Sequence, residues 1–109
     1  MTKSAPAPLP APLTAYFAAH DHRDTASLFA PDAVVRDEGQ THAGAAAIAA
    51  WLDRVETSYH PRYAVKAVES ADGRTIVTFE VSGTFPGSPA TLRQAFTVAD
   101  GYVQRLETL

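Results

Sequence analysis

The first part of the chain carries apolar side chains at helical spacing. Apolar residues recur every three or four positions from Leu13 onward, which predicts a first helix from about Pro12 to Asp21. A second, shorter helix is predicted over Thr25–Phe29, with Asp24 as its N-cap. Pro31-Asp32 is expected to end this second helix, since proline is a poor continuation of helical backbone.

The middle of the chain predicts a strand, a turn and a long helix in quick succession. Ala33–Asp37 has the composition of a short strand, and Glu38-Gly39 provides the turn after it. From Gly44 the helical period returns and ends at His60-Pro61, because a residue before proline disfavours helical backbone. One stripe of this helix is apolar, comprising Ile48, Trp51, Leu52, Val55 and Tyr59, and the opposite stripe is polar, comprising Asp53, Arg54, Glu56 and Thr57.

After Pro61 the period changes to two, which is typical of strands. Apolar and polar residues alternate in four successive segments. Asp72-Gly73 and Asp100-Gly101 are strong signals for two-residue hairpin turns, and Gly83–Pro89 has the glycine and proline content of a loop. The pattern therefore predicts four strands joined as a meander.

Helices followed by an antiparallel sheet define an α+β domain. The sheet is expected to curl, with three N-terminal helices covering one face. Residues 1–12, rich in alanine and proline, are interpreted as a tail, and residues 13–109 as the domain. A length of 109 residues fits one domain with a single core.

Composition narrows the classes of function. The net charge is −3 with both signs scattered, so there is no basic stripe for nucleic acid, and no nucleic-acid partner is expected. Cysteine is absent, which excludes disulfides and thiol chemistry. Four prolines interrupt the N-terminal segment, and no apolar run approaches the roughly 18 residues of a membrane helix. We therefore expect a cytoplasmic protein that does not interact with membranes.

Several short motifs occur in an order that is similar to a known family. They are YFAAH at Tyr16–His20, LFAPDAVVRDEG at Leu28–Gly39, HAGAAAIAAW at His42–Trp51, FPGSP at Phe85–Pro89 and FTVADGYVQRLET at Phe96–Thr108. Together they resemble the SnoaL-like branch of the nuclear transport factor 2-like superfamily. This resemblance implies a cone-shaped, strongly curved antiparallel sheet around a pocket for a small apolar molecule. It also implies a homodimer that pairs through the open sheet face, with Arg93, Thr97, Arg105 and Glu107 as candidate contacts.

The resemblance suggests residues for acid–base chemistry. Asp37 resembles the catalytic base of ketosteroid isomerases, where a carboxylate in an apolar cavity moves a proton next to a carbonyl. Tyr16 resembles the first donor to the oxyanion, and Gln94 stands where those isomerases have a protonated acid. The structural alternative is that Asp37 accepts hydrogen bonds from backbone N–H groups of the Glu38-Gly39 turn.

The remaining candidate residues would form the pocket wall. The predicted ligand-binding set is Gln94, Trp51, Phe79, Phe96, Tyr63, His42 and Val55. His20 and His22 diverge on a helix, and no other spacing suggests a metal site, so neither metal nor cofactor is expected. Epoxide hydrolysis is disfavoured, because Arg36 and Asp37 are adjacent on a strand and point to opposite faces. Two functions stay open: an isomerase or cyclase that uses Asp37, and a non-catalytic homodimeric binding domain.

Overall fold

In residues 5–109, which the computed structural model describes, seven strands form one sheet, and three helical segments cover one of its faces. The strands are β1 (Ala5–Pro6), β2 (Phe29–Asp37), β3 (Gln40–Ala43), β4 (Arg62–Ala71), β5 (Arg74–Ser82), β6 (Ala90–Ala99) and β7 (Tyr102–Thr108). The helical segments are α1 (Ala11–Ala18), a 3₁₀ helix (His22–Leu28) and α2 (Ala45–Tyr59). The strand order is β1-β4-β5-β6-β7-β2-β3. The predicted α+β class and the four-strand meander are confirmed.

Two-residue turns set the register of three hairpins. Glu38-Gly39, Asp72-Gly73 and Asp100-Gly101 all have positive φ at both residues, between 52° and 82°. Positive φ at both positions is the geometry of the type I′ turn, whose twist matches that of the strands it joins. The two hairpins predicted from Asp-Gly pairs are confirmed, and Glu38-Gly39 joins a third pair, β2 and β3.

Irregular pairing bends the sheet around the core. The register shifts between Val65 and Ala67 in the β4–β5 pair and between Thr97 and Val98 in the β6–β7 pair. Such bulges increase the local twist and bend the strand. The apolar core fills the space between the bent sheet and the helical segments.

Four features differ from the sequence-based expectation. The sheet is mixed, because β2 pairs parallel to β7. Strand β2 begins at Phe29 instead of Ala33, since Pro31-Asp32 lies in an irregular part of that pairing and does not end a helix. Strand β3 follows the Glu38-Gly39 turn and was not predicted. The 3₁₀ helix is capped by Asp21, whose side chain accepts from the backbone N–H of Arg23, and not by Asp24.

The N-terminal segment was interpreted as a tail over residues 1–12. Met1–Ser4 lie outside the described residues. Ala5 and Pro6 pair antiparallel with Ser70 and Glu69 at the edge of the sheet. The proline content suits this position, because an edge strand needs no N–H on its open side.

A buried polar pair joins the 3₁₀ helix to α2. Glu56 was placed on the polar stripe of its helix, yet only 6 % of it is exposed. Its carboxylate accepts a hydrogen bond from the His22 backbone N–H at 2.7 Å and lies 3.3 Å from Nδ1 of the His22 ring. These contacts compensate the burial of the carboxylate, because a buried charge needs hydrogen-bond partners.

Acidification is expected to destabilise the fold through His22. Burial lowers the pKa of His22 below its usual value, against the opposing effect of Glu56. As the pH drops below about 6.5, His22 therefore takes up a proton more readily in the unfolded chain than in the folded one, and the free energy of unfolding falls. The loss is at most about 1.4 kcal/mol for each pH unit. Urea unfolding at pH 7.5 and 5.5 should show a smaller fall for His22→Gln than for the wild type. The exposed control His20→Gln should match the wild type; an unchanged fall in His22→Gln would contradict this account.

Candidate functional site

A cavity of about 480 Å³ lies between α2 and the helix-facing side of the sheet. We call it the main cavity. It is lined by Asp37, Glu38, Trp51, Val55, Tyr59, Pro61, Tyr63, Phe79, Val81, Phe85, Pro86, Ala90, Leu92 and Gln94. This volume lies within the range of small-molecule sites, and a wall that is mostly apolar with few polar groups is typical of them.

Asp37 is the acidic group at the end of β2, where the strand reaches the main cavity. It is half-buried, and its Oδ2 accepts a hydrogen bond from Nε1 of Trp51 at 3.2 Å. Among the described residues its carboxylate has no hydrogen bond to the Glu38-Gly39 turn. The Trp51 indole therefore orients the carboxylate at the cavity wall.

Arg36 lies on the opposite side of β2 from Asp37. It is exposed, and its Nη1 donates to Oγ1 of Thr41 at 2.9 Å. This follows the alternation of a strand, which sends adjacent side chains to opposite faces. An Asp–Arg arrangement around one water is therefore not formed by these two residues.

Tyr16 lies in the core, and Tyr63 lies between Tyr16 and the main cavity. Tyr16 is 1 % exposed and does not line the main cavity, whereas Tyr63 does. The two rings stack nearly parallel, with centroids 5.9 Å apart. Of these two tyrosines, Tyr63 is therefore the one that a molecule in the main cavity would contact.

Burial keeps both tyrosines protonated. It raises the pKa of Tyr63 to about 12, against the opposing effect of the neighbouring Tyr16 side chain and with a further rise from the charge of Asp37. Burial likewise raises the pKa of Tyr16 well above its usual value. Tyr63, which lines the main cavity, and Tyr16, which lies in the core, are therefore both protonated at neutral pH.

The other predicted wall residues divide between three places. Trp51, Val55, Phe79 and Gln94 line the main cavity. Phe96 is fully buried and lies in the core, where its ring contacts the rings of Tyr16 and Phe17. His42 lines a smaller cavity of about 150 Å³, the side cavity, which shares Asp37, Glu38, Trp51, Val55 and Tyr59 with the main one. Its ring stacks on Trp51 with centroids 6.0 Å apart.

Backbone contacts between the end of α2 and the loop before β6 position a part of the main-cavity wall that was not predicted from the sequence. His60 ends the helix with positive φ, and the Thr84 N–H donates to the Tyr59 carbonyl at 2.8 Å. Gly83 allows this approach, because a Cβ there would overlap the same carbonyl oxygen. Tyr59 and Phe85 then meet edge to face with centroids 5.8 Å apart. The FPGSP motif marked this loop, but its distance from α2 could not be read from the sequence.

The residues that the structure describes contain no group of three or more His, Asp or Glu side chains placed to hold a metal ion. The same described part of the chain has no helix long and apolar enough to cross a membrane.

The class of protein follows from a comparison with known families. The SnoaL-like domain family matches residues 13–106, so the chain belongs to this family. Its fold is of the nuclear transport factor 2-like and ketosteroid isomerase-like type, as the resemblance implied. A comparison with curated proteins finds no match.

Solved structures give the same result in more detail. A candidate polyketide cyclase from Sinorhizobium meliloti is 38 % identical, with a TM-score of 0.84, covering 93 % of this chain and 95 % of that one. A candidate polyketide cyclase from Xanthomonas campestris is 24 % identical, with a TM-score of 0.72, and the match covers 89 % of this chain and 85 % of that one. A third match is a protein with a ketosteroid isomerase-like fold from Catenulispora acidiphila, solved with trimethylamine. It is 18 % identical, with a TM-score of 0.76, and the match covers 94 % of this chain and 86 % of that one. The latter two likenesses concern the fold alone.

Proposed function

We propose that this protein binds a small, largely apolar ring compound in the main cavity and uses Asp37 as a base for proton transfer. The observation that carries the proposal is the half-buried Asp37 carboxylate, oriented by Trp51 at the edge of an aromatic wall. The similarity to a candidate polyketide cyclase at 38 % identity supports the same class of chemistry.

The proposed reaction begins with proton abstraction next to a carbonyl. The Asp37 carboxylate takes a proton from the carbon adjacent to the ligand carbonyl, and the electron pair moves onto the carbonyl oxygen as an enolate. The Tyr63 hydroxyl, which burial keeps protonated, donates a hydrogen bond to that oxygen. Return of the proton at another carbon is isomerisation. Attack of the enolate carbon on a second carbonyl of the same molecule is cyclisation, in which the proton taken by Asp37 passes to the alkoxide oxygen that forms from that carbonyl.

The test is exchange of carbon-bound protons. 2-Tetralone, a fused-ring ketone, is incubated with the protein in D₂O, and deuterium at the carbons next to the carbonyl is followed by NMR. The proposal expects faster incorporation with protein than in buffer alone. Equal rates with and without protein would contradict the role of Asp37 as a base, and binding without exchange would favour the non-catalytic alternative.

We also propose that the chain forms a homodimer through the sheet face that the helices leave uncovered. Arg93, Thr97, Arg105 and Glu107 alternate with core residues of β6 and β7, which places them on this face. Two ion pairs, Arg93–Glu69 at 3.5 Å and Arg74–Glu107 at 3.4 Å, cross strands there. Light scattering at micromolar concentration is expected to give twice the 11.6 kDa mass of the chain; a monomer mass would contradict the dimer.

A further inference from the structure

The wall of the main cavity combines negative charge with many aromatic residues. Its acidic residues are Asp37 and Glu38, and its described residues include no lysine, arginine or histidine. Arg54 and His42 line the side cavity but not the main one. Five of the fourteen described wall residues are aromatic, namely Trp51, Tyr59, Tyr63, Phe79 and Phe85. Carboxylates and aromatic rings are the two kinds of side chain that attract a cation, and both occur in this wall.

The carboxylate of Asp37 has no positively charged partner in the described part of the chain. Its hydrogen bond from Trp51 Nε1, at 3.2 Å, comes from a neutral indole. The ion pairs found within residues 5–109 include neither Asp37 nor Glu38. The neighbouring Arg36 donates to Thr41 on the opposite side of β2. Because a half-buried carboxylate is stabilised by a nearby positive charge, the cavity favours an occupant that supplies one.

The charge of Asp37 acts on the aromatic side of the cavity as well. Burial raises the pKa of Tyr63 to about 12, and the negative charge of Asp37 contributes to that rise. A charge that reaches Tyr63 also reaches a molecule in contact with Tyr63, since this residue lines the main cavity. A cleft with charge of one sign and walls of low polarity concentrates ligands of the opposite sign.

We propose that the ligand of the main cavity carries an ammonium group on its ring system. This inference rests on the proposed function, because it takes the main cavity as the ligand site, and it adds the charge of the substrate. Glu38 is exposed and Asp37 is half-buried, so the ammonium group is expected at the cavity rim beside Glu38, with the rings against the aromatic residues. A positive group on the ligand also stabilises the negative charge that develops on the enolate oxygen.

Two probes of the same shape test the inference. 2-Naphthylmethylamine is an ammonium ion at pH 7, and 2-naphthalenemethanol has the same ring system and linker with a neutral hydroxyl group. Calorimetric titration of the wild-type protein at pH 7 is expected to give about tenfold tighter binding of the ammonium compound, the size of effect that a partly desolvated cation gains from aromatic rings and carboxylates.

Two double variants that each remove two negative charges locate the preference. Asp37→Asn with Glu38→Gln removes the charges of the cavity wall, and the ratio of the two affinities should fall below threefold. Asp72→Asn with Asp100→Asn is the matched control. Like Glu38, these two residues are exposed and begin a two-residue turn with positive φ, but they line neither cavity. The control should keep the wild-type ratio.

The outcomes separate this inference from the proposed function. If the alcohol binds the wild type as tightly as the ammonium compound, the main cavity is a ligand site without a preference for cations, and the inference is overturned. It is also overturned if the preference survives in the wall variant or is lost equally in the control. If neither probe binds, the proposed function fails together with the inference. The wild-type ratio needs no variant, so the test stands even if the wall variant does not fold.

Discussion

Replacement of Asp37 by asparagine is expected to reduce proton exchange on 2-tetralone by 10²- to 10⁴-fold, the usual contribution of a general base. The amide has nearly the same shape as the carboxylate, and its oxygen can still accept the hydrogen bond from Trp51 Nε1, which spans 3.2 Å in the wild type. It cannot take up a proton from carbon at neutral pH. The loss should therefore appear in kcat, measured by deuterium incorporation, with the fold unchanged.

Glu38→Gln is the matched control for Asp37→Asn. Glu38 is the next residue along the chain, lines the same main cavity and is exposed. Removal of its charge should change the exchange rate by less than threefold, on the order of the effect of a solvent-exposed charge. If exchange survives in Asp37→Asn and is lost in Glu38→Gln, the base is Glu38, and the role proposed for Asp37 is contradicted.

Truncation of Phe96 to alanine is expected to cost about 3–5 kcal/mol of the free energy of unfolding. Phe96 is fully buried, and its ring contacts the rings of Tyr16 and Phe17 at centroid distances of 5.9 and 5.7 Å. Its removal would leave an unfilled space in the centre of the core. Urea unfolding followed by circular dichroism measures the loss.

Phe85→Ala provides the comparison for Phe96→Ala. Phe85 is half-buried in the loop before β6 and lines the main cavity. Its truncation should cost less than half as much stability, because one side of the ring already faces open space. Equal losses for the two variants would contradict the assignment of Phe96 to the core and Phe85 to the cavity wall.

Local chemistry explains why much of the fold is predictable from the sequence. The Asp72-Gly73 and Asp100-Gly101 turns follow from residues that accept positive φ, and the alternation along β5 and β6 follows from the two-residue period of a strand. Strand β3 was missed because four residues between a turn and a glycine carry little periodic signal. Glu56 was misplaced because its burial depends on His22, which is 34 residues away in the chain.

The candidate site was harder to predict than the fold for a related reason. Periodicity gives the face on which a side chain lies but not its depth. Gln94 and Phe96 share one face of β6, yet Gln94 reaches the cavity and Phe96 ends in the core. Tyr16 and Tyr63 likewise stack on each other, and only their order in space decides which of the two lines the cavity.

Titration of 2-naphthol into a cavity-filled variant tests the central claim most directly. Ala90 lines the main cavity, so Ala90→Phe would fill space that a ligand needs, whereas Ala99→Phe adds the same ring at an exposed position on the same strand. Binding measured by calorimetry is expected in the wild type and in Ala99→Phe, and is expected to weaken at least tenfold in Ala90→Phe. Equal binding to all three proteins would show that the compound binds elsewhere and would contradict the main cavity as the ligand site.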